Sequence, residues 1–99
     1  MSAYVILASK PGQFRTEPGP DLHPLEAYDY LLSGRKRAHY VIARIEHPTH
    51  VRIVDESGGD SVNLVPSKFL PTFDTLDAAR LELQHLSRFG SIDIRLIKL

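Results

Sequence analysis

The sequence predicts a single small α+β domain over residues 1–99, a mainly antiparallel sheet of about five strands with two helices on one face. Three observations predict it. Phe73–Gly90 repeats apolar residues with the period of a helix. Several short runs rich in Val, Ile and Tyr read as strands. Ser57-Gly58-Gly59-Asp60 lies between two of those runs, where a tight reversal needs the positive φ that glycine accepts. The expected order is βαβββαβ, a ferredoxin-like plan with one extra strand.

Ala3–Ser9 (AYVILAS) is apolar at successive positions, as a central strand covered on both faces would be. Lys10–His23 follows with three prolines and two glycines, which forbid regular structure over most of it. It reads as a long surface excursion pinned by Phe14, with a binding loop as the alternative. Pro24–Ser33 reads as the first helix. Leu25, Ala27, Tyr28, Leu31 and Leu32 share one arc, Pro24 fits the first helical position and Gly34 fits the stop. The alternative is a hairpin through Ser-Gly into the next strand, giving a longer β-meander under a single helix.

Arg37–Glu46 is nearly continuous in apolar residues from Tyr40 to Ile45 and should also be central. His47-Pro48-Thr49 turns the chain into His50–Glu56, where Val51 and Ile53 alternate with Arg52 and predict one wet face. Ser61–Val65 is a short strand ended by Pro66, which lacks a ladder donor and so suits a sheet edge. In the second helix Leu76, Ala79, Leu83 and Leu86 fall on one stripe. Asp74 is the expected N-cap, Phe73 sits where a hydrophobic staple begins, Arg88 faces the negative pole and Gly90 stops the helix. Ser91–Leu99 alternates through Ile92, Ile94 and Leu96 as a last strand.

Composition narrows the function classes. Twelve basic residues balance twelve acidic ones, so bulk charge would not hold duplex DNA or an anionic membrane. There is no cysteine, which removes disulfides, thiol nucleophiles and thiolate metal sites and points to the cytoplasm. The apolar run Ala3–Ala8 is too short for a signal-peptide core or a membrane span. No phosphate loop, dinucleotide fingerprint, nucleophile elbow or metalloprotease pattern occurs, so no cofactor is implied.

The remaining candidates are local. Glu46, His47 and His50 have ligand chemistry, but they sit at a turn with no second pair nearby, so no metal site is assigned. His39, Asp55 and Glu56 are possible acid–base groups whose reach to a substrate spacing cannot establish. Arg35, Lys36 and Arg37 form the one basic run, and Lys10 and Arg15 could join it. Tyr4 and Tyr40 lie on the two expected central strands, where aromatics can stack on bases. Leu81 lies opposite the helical core stripe and is a candidate partner contact.

The expectation is a non-catalytic accessory or interaction domain acting through a protein partner, self-association or a small anionic ligand. Its candidate residues are Lys10, Arg15, Arg35, Lys36, Arg37, Tyr40 and Leu81. Single-stranded nucleic acid is the alternative, and it requires the basic groups and both tyrosines on one open sheet face. A small enzyme without a recognisable signature is third.

Overall fold

The computed structural model describes residues 3–59, 61–87 and 94–99. The strands are β1 (Ala3–Ser9), β2 (Phe14–Glu17), β3 (Leu22–Leu32), β4 (Arg35–Ile45), β5 (His50–Asp55), β6 (Val62–Pro66), β7 (Thr72–Phe73) and β8 (Ile94–Lys98). One helix, α1 (Leu76–Ser87), and a short 3₁₀ turn at Ser67–Phe69 complete the described elements. Five strands form the main sheet in the order β7-β1-β4-β3-β8, and three form a smaller one in the order β2-β5-β6. All the strand pairs are antiparallel. The fold is therefore α+β and mainly antiparallel, but with one helix among the described residues and two sheets.

The helix expected over Pro24–Ser33 is strand β3, paired along its length with β4. The turn explains the correction. Ser33 (φ 52°) and Gly34 (φ 77°) both sit in the left-handed region, as a two-residue type I′ reversal requires, and its twist matches that of the flanking strands. Gly34 thus reverses a hairpin instead of stopping a helix. The helical period in the sequence was partly the work of two register shifts, one at Pro24/Glu26 and one at Tyr30/Leu31. Each bulge inserts a residue and breaks the alternation that identifies a strand.

Lys10–His23 is likewise less irregular than expected. Lys10 bridges Phe14, and β2 then adds to β5 at the rim of the small sheet. β1 and β4 are interior strands of the main sheet, as their apolar runs required, and β6 ending in Pro66 is an edge. The cap of α1 is Thr75, not Asp74: its hydroxyl accepts the Ala78 amide at 3.0 Å. The stop at Gly90, the cation at Arg88 and the position of Ile92 lie outside the described residues.

Alternation divides the core in two. Val5, Leu7, Ala43 and Ile45 point to the small sheet and meet Leu22 and Val51. Ile6 and Ile42 point the other way and meet Ala79 and Leu83 of α1, with Tyr4, Tyr28, Tyr40, Phe73, Leu76 and Leu96 around them. The molecule is a stack of small sheet, main sheet and helix. At the helix rim, Glu26 accepts from Arg80 through Nε (2.9 Å) and Nη2, from Tyr28 (2.6 Å) and from Lys98 (3.1 Å). Its side chain is 7% exposed. These donors, Arg80 above all, hold the Glu26 carboxyl well below the usual carboxylate range.

Candidate functional site

The basic run does not stay together. Strand alternation and one bulge send its members to different places. At the shift between Tyr30 and Leu31, Tyr30 faces Ala38 while Leu31 faces Lys36, which leaves Arg37 as the extra residue. Without the bulge Lys36 and His39, three residues apart, would point to opposite faces. With it, both reach Asp29 Oδ1, Lys36 Nζ at 3.2 Å and His39 Nδ1 at 2.9 Å. The hydrogen bond from His39 and the charge of Lys36 keep the Asp29 carboxyl below its ordinary range despite some burial.

Of this trio, Lys36 and His39 line a cleft of about 560 Å³ between the two sheets. Ser9, Thr16, Arg15, Glu17 and Glu56 also line it, over an apolar floor that includes Val41. Its charges are matched internally. Arg15 lies 3.1 Å from Glu56 and 3.7 Å from Glu17, and Lys36 is matched by Asp29. An anion would find no uncompensated charge there.

The second cleft, about 350 Å³, opens on the helix side. Lys10 and Arg37 line it together with Tyr30, Tyr40, Leu32 and Leu86. No acidic residue is among its lining residues, and neither cation has an acidic partner among the described residues. Tyr30 and Tyr40 meet edge to face, with centroids 6.3 Å apart and planes at 86°. Burial pushes the Tyr40 hydroxyl above its usual range, so the ring stays neutral at physiological pH.

The predicted site residues thus separate. Lys10, Arg37 and Tyr40 share the helix-side cleft, Arg15 and Lys36 share the interlayer cleft, and Arg35 is exposed near the hairpin tip in neither. Leu81 is 54% exposed on α1 and lines neither cleft. Tyr4 packs into the helix-side core. α1 covers that face, and the cations do not gather on one open face with both tyrosines, so the arrangement that base stacking requires is not met.

Sequence reasoning missed Asp29, Tyr30 and Ser9. Asp29 and Tyr30 were hidden by the helical reading of 24–33. A plain hairpin reading would have placed Asp29 across from Ala38, and the bulge at Arg37 moves it to His39. His47 Nδ1 meets the Pro48 carbonyl at 3.2 Å, and among the described residues no group of three His, Cys, Asp or Glu side chains could hold a metal. Among the described residues no helix is long and apolar enough to cross a membrane. Comparison with protein-family models, with curated proteins and with solved structures finds no match to this chain. The functional reading therefore rests on the clefts themselves.

Proposed function

We propose that the helix-side cleft is a non-catalytic binding site for a small anionic ligand with a planar or apolar body. The supporting observation is the pairing of two uncompensated cations, Lys10 and Arg37, with the Tyr30–Tyr40 pair in one concavity. Like charges gathered without a counter-ion repel, and an anion placed between them removes that cost. The cleft is of the size small ligands occupy, and its apolar lining of Leu32, Ala38 and Leu86 suits the body of such a ligand. Arg37 offers a planar fork for a carboxylate or phosphate, and Lys10 a mobile point charge. The tyrosine rings supply flat apolar surface.

The test is titration of the labelled chain with phenyl phosphate, followed by amide chemical shifts. Inorganic phosphate and benzyl alcohol separate the anionic and the apolar contributions. Saturable shifts at Lys10, Gln13 and Arg37–Tyr40 are expected, with a Kd below about 1 mM. Arg37→Ala should weaken binding about tenfold, the loss of one charge-assisted contact. Shifts that stay linear to several millimolar, or wild-type affinity in both Arg37→Ala and Lys10→Ala, would remove the proposal.

A further inference from the structure

We infer that the interlayer cleft is an acyl-transfer site for a small carboxylic ester, with Ser9 as nucleophile, His39 as its general base and Asp29 as the residue that positions that base. The inference concerns the opposite face of the main sheet and stands independently of the anion cleft.

The carrying observation is a row across three strands. Ser9 on β1 faces His39 on β4, and His39 faces Asp29 on β3. Directly opposed residues of an antiparallel pair project from the same face with Cβ atoms about 4.5–5.5 Å apart. Hydroxyl, imidazole and carboxylate are therefore aligned by the register of the sheet itself. This is a rigid support for a site that must hold its groups within a fraction of an ångström.

The hydrogen bonds assign the roles. His39 donates from Nδ1 to Asp29 Oδ1 at 2.9 Å. In that tautomer Nε2 keeps its lone pair and is free to accept a proton. On the other side of the row, the Thr16 amide donates to Ser9 Oγ at 2.9 Å. That contact occupies a lone pair and leaves the hydroxyl proton without an acceptor among the described residues. Ser9 and His39 make no direct bond at rest, but a rotation of Ser9 about χ1 turns Oγ toward β4. Catalytic contacts of this kind commonly close only with substrate bound. The same rotation releases the Thr16 N–H into the cleft, where it becomes a donor for an oxyanion.

The step balances without any other reagent. Ser9 Oγ bonds to the acyl carbon as its proton passes to His39 Nε2. The tetrahedral centre then collapses, the ester C–O bond breaks and His39 returns the proton to the leaving alkoxide. Water repeats the sequence on the acyl-Ser9 and releases the carboxylic acid. Pro11, Pro18 and Val41 give the cleft apolar walls for the body of the ester.

The experiment treats the whole chain with an alkyl fluorophosphonate and maps the adduct by mass spectrometry. A single phosphonyl group on Ser9 is expected. Hydrolysis of p-nitrophenyl acetate should proceed in parallel and fall about 100-fold or more in His39→Gln, within the range general-base removal usually costs. Asp29→Asn should lower kcat with KM nearly unchanged and with the circular-dichroism spectrum of the native chain, a split that a merely structural role would not produce. Wild-type chain that takes up no phosphonyl group, or takes it up at a tyrosine or another serine, would overturn the inference without reference to any variant. So would hydrolysis by Ser9→Ala at the wild-type rate.

Discussion

Ile42 and Ala43 are neighbours on β4 and both are fully buried, yet they belong to different cores. The helix side of the main sheet mixes aliphatic residues with three tyrosines and is tied at its rim by Glu26 to Arg80 and Lys98. The side facing the small sheet is aliphatic throughout, and its rim is the mixed-charge cleft around His39. The layers differ in their internal support. β5 and β6 are joined by a hairpin and β2 pairs directly with β5, so backbone ladders fix the small sheet's strands relative to one another. The helix is a single element laid on the main sheet. Apolar contact alone leaves it free to rotate, and directional hydrogen bonds at its edge fix its angle.

Core truncations test whether the two sides are energetically separate. Leu83→Ala on the helix side should cost about 2–5 kcal/mol, and Val51→Ala on the other about 1.5–3 kcal/mol, measured by urea unfolding. Both should shift one shared transition, because β1 and β4 serve both cores. Two transitions, each moved by only one of the substitutions, would show that the layers unfold independently.

The rim of the helix side predicts a smaller effect with a clear pH signature. Glu26 has a depressed carboxyl in the folded chain, while the unfolded chain returns it to about 4.3. Its stabilisation is therefore complete above about pH 5 and is lost as the pH falls through and below that unfolded value. Glu26→Gln should cost about 1–2 kcal/mol at pH 7, a modest figure because Arg80 and Lys98 are still partly hydrated. It should also flatten the decline in stability between about pH 5 and 3. An unchanged acid slope in thermal melts would mean that Glu26 does not anchor α1.

The smallest effect concerns the reversal that both faces share. Ser33 holds φ 52°, a region that asparagine enters more readily than serine. Ser33→Asn should raise stability by up to about 0.5 kcal/mol, read as a small rise in the thermal midpoint. A fall in the midpoint would show that the Ser33 side chain has a role beyond permitting the turn.

Much of the frame was legible from local pattern. The runs in β1 and β4, the alternation in β5, Pro66 at an edge and the stripe through Leu76, Ala79 and Leu83 all describe what the structure contains. Leu86 on that stripe is less buried, because it borders the helix-side cleft. β3 was misread because two bulges gave it a helical period, although Ser33-Gly34 carried the hairpin signal. The candidate site was legible only in part. Lys10, Arg37 and Tyr40 do share a cleft, while Asp29 and Ser9 could not be chosen without the register that sets them beside His39.

By itself the sequence determined which segments could be buried and on which sides, since apolar period is a property of neighbouring residues. It also determined the absence of thiol chemistry and the electrical balance of the whole chain. Tertiary structure alone decided that the described strands divide into two sheets and that Arg37 is bulged. It likewise decided that Lys10 and Arg37 share one cleft while Arg15 and Lys36 share another on the opposite face of the main sheet. The reason is that strand pairing joins residues distant in the chain, and moving a register by one position sends every side chain to the other face.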